Sequence, residues 1–190
     1  YHVIGLDVRK EDAPYCDKFF QFDLNAYCTN PSYKQTMDEV FDEEIPELFV
    51  LVYNAAVQVL SDLENLELSD WNLTLNVNLT GPLLLSQYFL PKLEKSRGSI
   101  INIASIHQQL TKKRFISYAT SKSALVGLTK SMSVDLQGRV RVNAISPAAI
   151  DTQMLRDGFD NDESKVQMLN VLHPIQGIGK PKEVSKLALL

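Results

Sequence analysis

Tyr118 and Lys122 lie four positions apart in Ser117-Tyr118-Ala119-Thr120-Ser121-Lys122. On a helix, that spacing sets a phenol and an ammonium on one face, a turn apart. A nearby positive charge favours phenolate and draws a tyrosine below its usual pKa of about 10. A tyrosine tuned in that way exchanges a proton with an alcohol or ketone oxygen. Upstream, Ser105 closes the run Gly98-Ser99-Ile100-Ile101-Asn102-Ile103-Ala104-Ser105. Its hydroxyl would stand at the carboxyl end of a buried strand, where open α/β sheets gather their ligands, and could hold the same oxygen. Asn78 interrupts a largely apolar stretch, Asn76-Val77-Asn78-Leu79-Thr80-Gly81. A buried amide needs partners, so this reading predicts a distorted helix whose freed backbone carbonyl keeps a water on a proton path. A tyrosine–lysine pair alone is common on surface helices. Its company makes proton transfer at an oxygen the chemistry to consider.

These residues require elements to position them. Apolar, β-rich runs predict strands over 3–6, 19–22, 48–53, 98–104 and 140–145. Helices are expected over 31–44, 71–89, 118–136 and 163–170, with another opened by Pro181 and a new turn or kink at Pro91. Strands that are apolar throughout and alternate with helices argue for α/β architecture, a parallel sheet covered on both faces. Repeats, low-complexity tracts and linkers are absent, so one domain over 1–190 is expected.

Composition narrows the function classes. A net charge of −4 leaves no basic footprint for nucleic acid or for an anionic membrane. The greasiest stretch, 79–90, is broken by Thr80, Gly81, Ser86 and Gln87, so it reads as a core or interface helix rather than a membrane span. Cys16 and Cys28 fall in no metal-ligand spacing, so no metal site is expected, and reduced thiols in cytoplasm fit them best.

Asn78, Ser105, Tyr118 and Lys122, in this order and at these separations, resemble the catalytic tetrad of the short-chain dehydrogenase/reductase family. Further stretches agree. Tyr53-Asn54-Ala55-Ala56 resembles the family's N-N-A-G segment, and Arg141 to Pro147 its sixth strand. Pro147-Ala148-Ala149-Ile150-Asp151-Thr152 resembles its P-G-x-x-x-T loop, and Gly177 to Val184 its G-R-x-G-x-P-x-E-V segment. Tyr53, Ala56, Ala148 and Ile178 depart from those patterns.

The resemblance implies an extended Rossmann-like, doubly wound parallel sheet of seven strands. Five are readable here. The first would precede Tyr1 and the seventh would follow Leu190, and no G-x-x-x-G-x-G phosphate loop occurs in the chain, so a piece of a longer enzyme is expected. It further implies hydride transfer between a nicotinamide cofactor and an alcohol or ketone. Tyr118 would be the general acid/base, Ser105 would orient the oxygen, Lys122 would steady the ribose and Asn78 would anchor the water. Asp7, ending its strand, would accept the ribose hydroxyls and repel a 2′-phosphate. NAD is therefore expected before NADP, although Arg9 and Lys10 could accept the phosphate. Asp23 and Leu24 would touch adenine, and Asn54 and Ala55 would line the adenosine side. Pro147, Ile150 and Thr152 would hold the nicotinamide end.

The loop 105–117 and the segment 150–177 would form the substrate pocket, with His107 beside the reacting carbon. The run Ser105-Ile106-His107 is similar to that of sugar-oxidising members, so a sugar or polyol is a candidate substrate. The acidic segment around Asp157, Asp160, Asp162 and Glu163 reads as a solvated, mobile lid. Family members usually assemble as homodimers or homotetramers through the two long helices. Two other functions stay open at this point: a non-catalytic nucleotide-binding or scaffold member, and an extended-type sugar epimerase or dehydratase, which shares the tyrosine–lysine pair.

Overall fold

The computed structural model describes residues 2–9 and 15–189. Its strands are β1 (Ile4–Asp7), β2 (Lys18–Gln21), β3 (Val50–Tyr53), β4 (Ser99–Ile103) and β5 (Arg141–Ile145). All pairings are parallel, β1 with β2 and β4 between β3 and β5. The single expected ladder is therefore divided. β1 and β3 do not pair among the described residues, so the strands make a pair and a trio.

The helices are α1 (Leu24–Thr29), α2 (Pro31–Glu44), α3 (Leu68–Leu75), α4 (Gly81–Ser96), α5 (Ile116–Asp135), α6 (Gln153–Asp157), α7 (Glu163–Leu172) and α8 (Pro181–Ala188). Side chains placed at their starts explain several of them. Asp23 accepts from the backbone N–H groups of Asn25 and Ala26 and so opens α1. Asn30 accepts from Tyr33 N–H, with Pro31 already shaped for the first turn of α2. The expected helix over 71–89 is really α3, a π-helical segment (Asn76–Thr80) and α4 in unbroken succession. Pro91 lies inside α4 instead of starting a new turn. It forgoes only the bond to the carbonyl of Gln87, an exposed position that water reaches.

α4 stops where Arg97 turns left-handed at φ 51° and the Gly98 N–H donates to Leu93 O at 2.8 Å. Gly98 is required by close approach: a Cβ there would stand 2.5 Å from Phe49 O, the carbonyl just before β3. Its absence lets β4 begin alongside β3.

One core joins the strand pair to the trio. Phe22, Tyr27, Phe41 and Phe89 are buried, with successive ring centroids 5.3 to 5.4 Å apart. Ile4 and Leu6 of β1 lean on this cluster, and Tyr53 of β3 and Ile100 of β4 belong to it. The Tyr53 hydroxyl meets Ser86 Oγ at 3.1 Å, so the phenol standing in the N-N-A-G segment is satisfied in the interior.

Candidate active site

Within each sheet the parallel strands present their carboxyl ends along one edge, and the chain just past them carries residues singled out above. Asp7 ends β1, Asp23 follows β2, Asn54 and Ala55 follow β3, Ser105 follows β4 and Pro147 follows β5. Such an edge is where open α/β sheets bind ligands. The last two loops are stitched together: Ala104 N–H donates to Ile145 O, and Ile106 N–H to Pro147 O, each at 2.8 Å.

Tyr118 and Lys122 come from the first turns of α5 and are only 7% and 2% exposed, which rules out an ordinary surface helix pair. Lys122 Nζ donates to Ile103 O, at the end of β4, at 2.7 Å and stands 5.8 Å from the centroid of the Tyr118 ring. Burial pushes the ammonium down to about 8. Burial also pushes the Tyr118 phenol above its usual value, and the neighbouring Ser105 side chain opposes the rise. The sequence led us to expect the ammonium to lower the phenol. Desolvation wins instead, because both groups lie in the interior and Lys122 spends its proton on a backbone carbonyl. The resulting phenol stays protonated, which suits it to donate.

Ser105 caps the 3₁₀ turn Ile106–Gln108, its Oγ accepting from His107 N–H at 3.2 Å. The His107 ring leans edge-on toward Tyr118, 6.1 Å between centroids, and lies 4.6 Å from Phe115. Its Nδ1 is 3.0 Å from Leu110 O. Burial, helped by Lys112, lowers the imidazole pKa despite that carbonyl, so near pH 7 the ring is neutral.

Asn78 occupies the π-helical segment, where the widened turn matches the expected distortion. Its amide is fully engaged. Oδ1 accepts from Val57 N–H at 2.8 Å, while Nδ2 donates to Val57 O and to Ser121 Oγ, each at 2.9 Å. Ser121 Oγ donates in turn to Tyr118 O at 2.7 Å. The asparagine is thus linked to the backbone of the tyrosine through Ser121, a residue the sequence reading passed over as spacer. Its position three after Tyr118, on the same helical face, was the available signal.

The residues expected at the cofactor are less uniform. Asp7 accepts from Arg9 N–H at 2.9 Å and from Arg9 Nε at 3.3 Å. Partial burial tends to raise this carboxyl, but the Arg9 bonds and charge outweigh it and hold it below its ordinary value. Lys10 lies outside the described residues. Asp23 spends Oδ1 on capping α1, and Leu24 packs over Gly81, so both already have structural work. Asn54 and Ala55 are exposed at the edge. Ile150 pairs with Gly179 as an isolated parallel bridge, and Thr152 Oγ1 caps α6 through Leu155 N–H at 3.3 Å. The acidic segment expected as a solvated lid holds α6 and α7, fastened by Arg156 to both Asp151 and Glu163. Among the described residues, no group of histidine, cysteine and acidic side chains could hold a metal ion, and no helix is long and apolar enough to cross a membrane.

Comparison with known proteins gives concordant results. The family described as "short chain dehydrogenase" matches residues 11–163. A 3-oxoacyl-[acyl-carrier-protein] reductase of Thermotoga maritima is 30% identical over 195 residues, spanning 98% of this chain and 78% of the relative. The ligand-free aldohexose dehydrogenase of Thermoplasma acidophilum superposes with a TM-score of 0.88 at 30% identity, over 98% of this chain and 74% of that one. A 4-hydroxyisoleucine dehydrogenase complexed with NADH gives 0.85 at 26% identity, over 98% and 79%.

Proposed function

This chain belongs to the short-chain dehydrogenase family, NAD(P)-dependent oxidoreductases acting on alcohols and ketones, and from that premise we propose how its residues divide the work. Tyr118 is the proton donor to the carbonyl oxygen in reduction and the acceptor in the reverse direction. The observation that carries this role is a buried phenol in the first turns of α5, beside the loop that follows β4 and carries Ser105, and kept protonated by its burial. Ser105 orients the substrate oxygen and steadies the charge that develops on it. Lys122, tethered to Ile103 O, holds the cofactor ribose and keeps positive charge beside the phenol. Asn78 positions Tyr118 through Ser121 and keeps a water at the distorted helix for proton exchange with solvent. His107 borders the substrate, a hydroxylated compound of the sugar or polyol kind.

The cofactor, when bound, supplies or accepts the hydride. The donor set fits it: Asp7, held ionised by Arg9, is an acceptor for ribose hydroxyls at a strand end. Asp23, Leu24, Asn54 and Ala55 border the adenosine, and Pro147, Ile150 and Thr152 the nicotinamide. Asp7 makes NAD the preferred form. In the full-length enzyme, Asp7→Ala should shift the ratio of kcat/KM for NAD over NADP toward NADP, and an unaltered ratio would remove Asp7 from this role.

Cytoplasmic residence and a homodimer or homotetramer built on α4 and α5 complete the reading. Exposed Leu83 and Val134 on those helices support the assembly, and sedimentation of the full-length protein tests it.

The decisive experiment is Tyr118→Phe. The rate of alcohol oxidation or ketone reduction should fall by at least about 10²-fold. Cofactor binding, read by fluorescence, should persist. Turnover close to wild type would defeat the assignment.

A further inference from the structure

Among the described residues, Lys112 is a cation without an anion. Its Nζ lies 4.4 Å from the centroid of the Phe115 ring and 4.4 Å from that of Phe159. The two rings come from different segments. Phe115 ends the loop between β4 and α5, and Phe159 sits between α6 and α7. Phe115 is 4% exposed and stands edge-on to Tyr118 at 5.7 Å, so the ammonium is one ring removed from the phenol. Aromatic faces attract a cation and hold its position without cancelling its charge.

Most acidic residues of the segment around Phe159 have other partners. Asp151 and Glu163 pair with Arg156, Asp162 with Lys165, and Asp157 accepts from Gln153. Among the described residues, no carboxylate lies within ion-pair distance of Lys112. The loop carrying it is also anchored. Ser61 N–H donates to Arg114 O at 3.1 Å, and Arg114 Nη2 donates to Leu60 O at 3.2 Å. A positive charge at an exposed position, held between two rings, therefore stands beside Phe115, the ring that packs on Tyr118.

We propose that Lys112 is a specificity-determining residue that pairs with a carboxylate on the substrate, so that the enzyme acts on a small hydroxy acid or its oxo counterpart in preference to the neutral polyol of the same shape. This rests on the reading of Tyr118 as the proton-transferring group and narrows its substrate class. A charge-assisted hydrogen bond from an ammonium already confined by two rings should favour the acid by about 10-fold or more.

The test uses the full-length enzyme with two isosteric pairs, 3-hydroxybutanoate against 1,3-butanediol and gluconate against sorbitol. Wild type should favour the acid in kcat/KM in at least one pair by about 10-fold. Lys112→Gln should abolish that preference while leaving the neutral partner's kcat/KM in place, and Lys112→Arg should keep it. Calorimetric binding of succinate to the cofactor-loaded enzyme provides a readout without turnover: it should weaken about 10-fold in Lys112→Gln and survive in Lys112→Arg. Equal loss for acid and diol in Lys112→Gln would mean that the ammonium only clasps the two segments together. That result, absence of acid preference in wild type, or succinate binding indifferent to the substitution would each overturn the proposal. An active Tyr118→Phe enzyme would overturn the underlying reading instead, so the two failures are separable.

Discussion

At the scale of single residues, the site depends on how burial alters a phenol and an ammonium. The spacing of Tyr118 and Lys122 was legible because helical periodicity is local. The direction of the phenol's shift was not, since it depends on how much water the folded chain excludes, and that is set by distant parts of the sequence. Lys122 shows the consequence for stability. Its folded value of about 8 lies below the ordinary 10.5, so the folded chain sheds this proton first as pH rises. Below pH 8 the cost of a buried ammonium is fully present. Between about 8 and 10.5 stability should climb, and above that it should level off. The gain in wild type relative to Lys122→Met, from urea unfolding at pH 7.5 and 10.5, should be on the order of 3 kcal/mol. Parallel curves for the two proteins would contradict the burial argument.

At the scale of elements, the π-helical segment was the most informative departure from regular structure. An asparagine in an apolar helix announced a distortion, but its partner did not: Val57 lies far away in sequence and contributes only backbone, which has no side-chain signature. Replacing Asn78 with alanine would remove the partner of the N–H and C=O of half-buried Val57 and cost about 1–3 kcal/mol in chemical denaturation. Amide exchange at Val57 should accelerate in the same variant, and a loss below about 0.5 kcal/mol would show that water replaces the side chain. Short helices were the hardest elements to read. α1 and α6 are 6 and 5 residues long, fall below the span over which apolar periodicity is recognisable, and exist because Asp23 and Thr152 cap them. The longer helices and the strands carried their periodicity openly, except that Pro91 suggested a break where α4 continues.

At the scale of the molecule, a single aromatic cluster fastens the β1–β2 pair to the β3–β4–β5 trio. Phe41, fully buried between Phe22 and Phe89, is its centre, and Phe41→Ala should lower stability by about 3–5 kcal/mol in thermal or urea unfolding. A loss confined to one part of the structure would mean that the pair and trio unfold independently. The alternation of apolar strands and helices made the parallel architecture legible, whereas the division into pair and trio depends on which strands bond laterally, and strand composition does not encode that choice. The strands of the trio run the same way, so Asn54, Ser105 and Pro147 emerge along one rim of it. The connection from α2 to β3 turns at the opposite rim, with Glu47 projecting into solvent. A tether grafted at Glu47 would therefore anchor the protein to a bead or an electrode with its reactive side facing the bulk.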